Sequence, residues 1–126
     1  MRKKKILIVD DDTNITLSIS FVLKKEGYTV IVAVDGEEAI KKAKEELPHL
    51  IVLDIMLPKI NGFEVHKHLK ANAQTSEIYT IMLTAKENEK DKRLAEDLGV
   101  SAYMTKPFNI ETLLSEIKKG AEDGGK

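Results

Sequence analysis

Three consecutive aspartates, Asp10, Asp11 and Asp12, directly follow a short apolar run at residues 6–9. A fourth, Asp54, closes the apolar run 50–53, Thr84 closes the run 78–83, and Lys106 lies just past the run 102–104. One aspartate after a strand is an ordinary helix cap, and Asp12 reads that way; one cap suffices, so two acids are left over. A carboxylate ending an apolar strand is costly unless it is paired or solvated in a cleft, which makes Asp54 harder to explain as packing. Taken singly, Thr84 is an N-cap and Lys106 a loop lysine. Together they are carboxylates, a hydroxyl and a cation at the same ends of neighbouring strands. Two carboxylates about 5 Å apart repel by about 3 kcal/mol at an effective dielectric near 20. A divalent cation relieves that repulsion, and oxygen donors with neither His nor Cys beside them select a hard ion such as Mg2+. Mg2+ combines one or two carboxylates with phosphate oxygens, so the set reads as a receiver for a phosphoryl group. Asp54 is the candidate nucleophile, with Thr84 and Lys106 stabilising charge on the equatorial oxygens.

Those residues meet only if the runs that carry them lie side by side. Apolar runs recur at 6–9, 28–34, 50–53, 78–83 and 102–104, and the first and third are unbroken aliphatic stretches, as parallel strands covered on both faces require. Helical spacing fills the gaps. Ala39, Ile40, Ala43 and Leu47 share a face, as do Ile110, Leu113, Leu114 and Ile117. Asp35 with Glu38, Asn61 with Glu64 and Thr84 with Glu87 are cap-like pairs, while Gly27 and Pro48 stand where helices should stop. Residues 15–21 alternate apolar and polar (ITLSISF), which is the strand period. Ile15, Ile19, Val22 and Leu23 also form a helical face, and a helix is the expectation, because two parallel strands need a crossover. The result is an α/β chain alternating strand and helix: an open, doubly wound, five-stranded parallel sheet with helices on both faces. In such a sheet, function gathers at the carboxyl ends of the strands.

Composition narrows the classes. The chain has 126 residues, the size of one domain, with 20 Lys and Arg against 21 Asp and Glu, a net charge of −1 that argues against nucleic-acid binding by bulk electrostatics. With 42% hydrophobic and 33% charged residues it is too apolar for a disordered chain and too charged for a membrane one. Zero cysteines exclude a disulfide scaffold and thiolate chemistry. No apolar run approaches the roughly 18 residues of a membrane span, and the basic start MRKKK meets three aspartates too soon to be an export signal. A soluble, cytoplasmic domain over residues 1–120 is expected, with 121–126 a flexible tail or the start of a linker. Its Gly-rich, charged character begins at Gly120.

Four motifs in order, ILIVDDD, IVLDIMLPKINGFEV, IMLTAK and YMTKPF, together covering the chain from about residue 4 to 120, resemble the response-regulator receiver domain, the phosphoacceptor module of two-component signalling. The resemblance implies a flavodoxin-like sheet of order 2-1-3-4-5 with five helices, in agreement with the reading above. It implies that Asp54 is phosphorylated by a histidine kinase or histidine phosphotransfer protein. It makes Asp11 a direct Mg2+ ligand, Asp10 a support through water, and the carbonyl of Met56 a further ligand beside Asp54. Thr84 and Lys106 bind the phosphoryl group, Tyr103 is the switch aromatic, Pro107 follows a cis bond, and Asp12 has no direct role. The output face is the fourth helix, fifth strand and fifth helix, with an output partner the sequence does not name. His49 stands where the family usually has aspartate, a structural position. Ser101, Ala102, Glu111 and Glu116 replace the acidic pair and basic residues of members that dimerise on DNA, so a monomer or a weak phosphorylation-dependent dimer without direct nucleic-acid contact is expected.

Two other functions stay open at this point. An Mg-dependent aspartate-nucleophile phosphatase uses a similar set, but places its nucleophile after the first strand with a second aspartate two residues on; here the best nucleophile follows the third strand and Met56 stands two residues later. A receiver used only as a phosphorylation-independent binding module would have no need of the Asp, Thr and Lys set. The expectation is thus a phosphoacceptor that catalyses only its own phosphorylation and dephosphorylation, stand-alone or part of a longer regulator. His66 and His68, two apart on the third helix, are expected at the surface, and Phe63, Phe108 and Tyr28 in the core. The charged run 86–93 reads as a solvated helix face next to the switch.

Overall fold

The computed structural model of the chain describes residues 4–84 and 89–123. In these, strand and helix alternate: β1 (Lys5–Val9), α1 (Thr13–Lys25), β2 (Thr29–Ala33), α2 (Gly36–Glu46), β3 (Leu50–Asp54), α3 (Gly62–Ala71), β4 (Tyr79–Thr84), α4 (Glu89–Asp97), β5 (Ala102–Thr105) and α5 (Ile110–Asp123). The strands form one parallel sheet in the order β2-β1-β3-β4-β5, the flavodoxin-like arrangement.

Side-chain alternation along the strands divides the core in two. Leu7, Val9, Ile51, Leu53 and Met82 face Ala39, Ala43, Val65, Leu69 and Ala95 of α2, α3 and α4. Ile6, Ile8, Leu50, Val52, Ile81 and Leu83 face Ile19, Leu23, Leu113, Ile117 and Ala121 of α1 and α5. Burying both faces of the central strands is why they read as unbroken aliphatic runs. Each fully buried Leu, Ile or Val adds about 1.5–3 kcal/mol of transfer free energy, which holds β1 and β3 as a rigid platform.

The helix starts follow the cap residues. Asp12 accepts from the amides of Asn14 and Ile15, Asp35 from that of Glu38, and Asn61 and Glu64 close a reciprocal capping box. Glu38 reaches back one residue further than a box requires, to the Val34 amide. Gly27 takes a φ of +94° after α1, and Leu47, at the end of α2, takes the left-handed conformation before Pro48. The segment 15–21 is helical, with Ile19 and Leu23 buried. The pairing of Thr84 with Glu87, and Lys86 in the charged run, fall outside the described residues.

Three expectations need correction. Gly120 does not open a tail: it is buried inside α5, which continues to Asp123, and a Cβ there would strike the Tyr79 ring. The missing side chain lets the last turns lie against the sheet. His66 is not at the surface but 1% exposed on the inner side of α3, whereas Tyr28 and Phe108 are only half-buried. His49 sits as expected in a structural role, its Nδ1 accepting from the Lys5 amide.

Candidate functional site

β1 and β3 are neighbours in register, Val9 beside Leu53, so the residues that follow them emerge together. Asp10 and Asp54 are 1% and 3% exposed, while Asp11 is solvent-facing. One carboxylate oxygen from each of Asp10, Asp11 and Asp54 lies within 4.8 Å of the others. Asp10 Oδ1 accepts from the Asp12 amide at 2.9 Å, and Asp54 Oδ1 from the Met56 amide at 3.2 Å. The remaining oxygens, Asp10 Oδ2 and Asp54 Oδ2, face Lys106, whose Nζ reaches them at 2.7 and 3.2 Å. Lys106 arrives from the end of β5 across the tip of β4; its backbone amide bonds to the Thr84 carbonyl, and its bond to Pro107 is cis. Thr84 is buried at the last residue of β4, opposite Thr105.

The electrostatics follow from that packing. Burial first, and then the neighbouring Asp10 charge, push the Asp54 carboxyl above its ordinary value; the Lys106 ammonium offsets only part of this. For Lys106 burial pulls down, but the hydrogen bond to Asp10 and the charges of both carboxylates together outweigh it and hold the ammonium above its usual value. Among the described residues a single positive charge thus answers two buried negative ones, with a third carboxylate at the rim. The donor set is oxygen-only, gathered and short of positive charge, which fits a hard divalent ion.

Asp10, Asp11, Asp54, Thr84 and Lys106, which follow or end β1, β3, β4 and β5, converge at one end of the sheet. Met56 is part of the rim, its side chain 68% exposed and its amide turned to Asp54. Tyr103 lies further along the sheet, beside Met82 in the ladder and packed against the core beneath α4. Its hydroxyl is buried and has no hydrogen-bond partner among the described residues. One residue of the second motif, Gly62, had no expected role. Gly62 brings the start of α3 onto the backbone at the end of β3: its amide donates to the Ile55 carbonyl, and a Cβ would sit 2.5 Å from the Asp54 carbonyl oxygen. A glycine directly after a helix cap was the available signal.

Comparison with known proteins gives the class. Residues 6–118 match the response regulator receiver domain family, and the chain belongs to it: a receiver domain of two-component systems. The alkaline phosphatase synthesis transcriptional regulatory protein PhoP of Bacillus subtilis (strain 168) is 50% identical over 115 residues, 91% of this chain and 47% of that protein. The chain therefore spans about half the length of this curated relative. Among solved structures, a CheY-like response regulator receiver domain protein from Methanospirillum hungatei JF-1 superimposes with a TM-score of 0.89 at 34% identity, covering 98% of this chain and 97% of that one. The chemotaxis response regulator CheY4 of Vibrio cholerae does so with a TM-score of 0.88 at 33% identity, covering 94% and 99%. None of the described helices is long and apolar enough to cross a membrane.

Proposed function

We propose that this receiver accepts a phosphoryl group on Asp54 from a histidine kinase or histidine phosphotransfer protein in the cytoplasm. The observation that carries the reading is the Lys106 ammonium bridging Asp10 and Asp54 at 2.7 and 3.2 Å. It holds a nucleophilic oxygen beside a cation at the open end of the sheet. An Asp54 carboxylate oxygen forms the new O–P bond while the N–P bond of a phosphohistidine breaks, and the departing imidazole nitrogen takes up a proton. Burial strips water from the carboxylate before it reacts and strengthens each electrostatic contact in the cleft. Asp11, Asp54 and the Met56 carbonyl would hold Mg2+, with Asp10 supporting it through water. That ion supplies charge neutralisation for the incoming phosphoryl oxygens. Thr84 and Lys106 bind those oxygens afterwards, Lys106 exchanging a carboxylate partner for a phosphoryl one.

The signal leaves through α4, β5 and α5. Tyr103 stands near balance: burying its ring gains about 1–3 kcal/mol, and an unpaired buried hydroxyl costs about as much. A change at Thr84 is enough to move such a ring. The chain acts only on its own phosphoryl group, as a monomer or a weak phosphorylation-dependent dimer, and passes the signal to an output partner without itself touching nucleic acid. With Mg2+ and acetyl phosphate, intact mass should rise by about 80 Da, one phosphoryl group, and the gain should vanish in Asp54→Asn. Equal labelling of that variant would overturn the assignment.

A further inference from the structure

Among the described residues, the buried side-chain polar atoms without a hydrogen-bond partner are Ser20 Oγ, His66 Nδ1 and the Tyr103 hydroxyl. The last two belong to the packing around α4. That helix is thinly anchored. Its sequence EKDKRLAED buries only Ala95, whereas α1, α2 and α3 bury four, three and five residues. Beyond its last turn the amides of Leu98, Gly99 and Val100 turn back to the carbonyls of Leu94, Glu96 and Ala95. The Leu98 carbonyl itself is held from outside the helix, by His66 Nε2 of α3 at 2.9 Å.

We propose that His66 is a latch that pins the C-terminal end of α4 to α3, and that protonation of its ring releases that end. A carbonyl partner requires the hydrogen on Nε2, which leaves Nδ1 as a bare acceptor inside the protein. Adding a proton there creates a donor with no acceptor, and a positive charge, in a ring that is 1% exposed. The Leu98 carbonyl, at a helix C-terminus, favours the cation. Lys70, one turn along α3, opposes it. From the other elements there is little charge to help: β4 and β5 carry no ionisable acid or base but Tyr79 and Tyr103, β3 only Asp54, which Lys106 engages, and Glu96 and Asp97 on the last turn of α4 are exposed. Burial is the largest influence and holds the imidazole below its ordinary value. The latched state therefore refuses a proton that the released state accepts. The latch is fully made above about pH 6.5 and is lost progressively as the pH falls below it.

Amide hydrogen exchange on the unphosphorylated chain tests this without any phosphodonor, so its outcome is independent of the function proposed above. After correction for intrinsic rates, protection of the Leu98, Gly99 and Val100 amides should fall several-fold between pH 7.5 and 5.5, while amides of β1 and β3 hold theirs. His66→Gln keeps an N–H donor that does not titrate, and should keep those three amides protected at both pH values. His66→Leu fills the space without a donor and should leave them weakly protected at both. Wild-type protection that does not change with pH would overturn the latch, and so would a fall shared equally by β1 and β3. Should the leucine variant fail to fold, the wild-type and glutamine pair still decides.

Discussion

Asp54 carries its negative charge where burial and Asp10 both resist it, and Lys106 relieves only part of the strain. A carboxyl held above its ordinary value takes up protons more readily folded than unfolded. Its ionised form therefore costs stability above the folded value, and the cost disappears as the pH falls toward the unfolded one. Asp54→Asn should accordingly raise the thermal midpoint of the metal-free chain at pH 7 by a few degrees. The gain should shrink to nothing near pH 4, which melting curves at the two pH values will show. Asp11 and Asp12, adjacent in sequence, should behave differently. Asp12 caps α1, and its alanine variant should cost about 1 kcal/mol of stability with little change in Mg2+ affinity. Asp11 belongs to the carboxylate group, and Asp11→Ala should weaken Mg2+ binding by tenfold or more in a calorimetric titration. Met56 bears on lifetime. Its flexible apolar side chain offers an attacking water no strong partner, so slow self-dephosphorylation is expected, and Met56→Asn should shorten the phosphoprotein half-life several-fold.

At the scale of elements, α3 is seated directly on the end of β3. A methyl group at position 62 would press on the Asp54 carbonyl and the Ile55 backbone, so Gly62→Ala should destabilise by about 1–3 kcal/mol, as overpacking does, and slow labelling by acetyl phosphate. Denaturant titration and the labelling rate check the two halves. The caps and strands were legible because each rests on local chemistry: Asp12, Asp35 and Asn61 start helices by accepting adjacent amides, and the aliphatic runs of β1 and β3 can only be buried strands. The faces of helices were less so. Residues 15–21 imitate a strand because α1 exposes Leu17 and Phe21, at 68% and 64%, in addition to burying Ile19. Lys25 lies over the outward Phe21 ring, 5.1 Å from its centre. His66 looked like a surface residue because an imidazole is polar, yet it is four residues after Gly62 and three before Leu69, on the stripe that α3 buries. Gly120 looked like a terminus because glycine is a poor helix former, and the Tyr79 ring and Leu50 side chain explain it. The place of Gly120 depends on partners far along the chain, which no local pattern contains, whereas the burial of His66 was open to the helical spacing of α3.

For the whole molecule, the sheet is what joins site and output face. Asp54 ends β3, Thr84 ends the neighbouring β4, and Tyr103 lies in the next strand beneath α4, so the proposed signal would cross adjacent strands to the α4 side. The central claim is that charge placed on Asp54 is read at α4, β5 and α5. Phosphorylation adds about −1.5 to −2 charges and three acceptor oxygens, enough to draw the Thr84 hydroxyl and shift the balance of the Tyr103 ring. Thr84→Ala should still be labelled at Asp54 while losing the distant response. The most direct measurement is the amide NMR spectrum before and after adding beryllofluoride, a phosphoryl mimic, with Mg2+. The account predicts shifts at Asp54, Met56 and Thr84 that continue through Tyr103 into α4, with Lys90, Lys92 and Arg93 among those moved. Shifts confined to the carboxylate cleft, with Tyr103 and α4 unchanged, would contradict it.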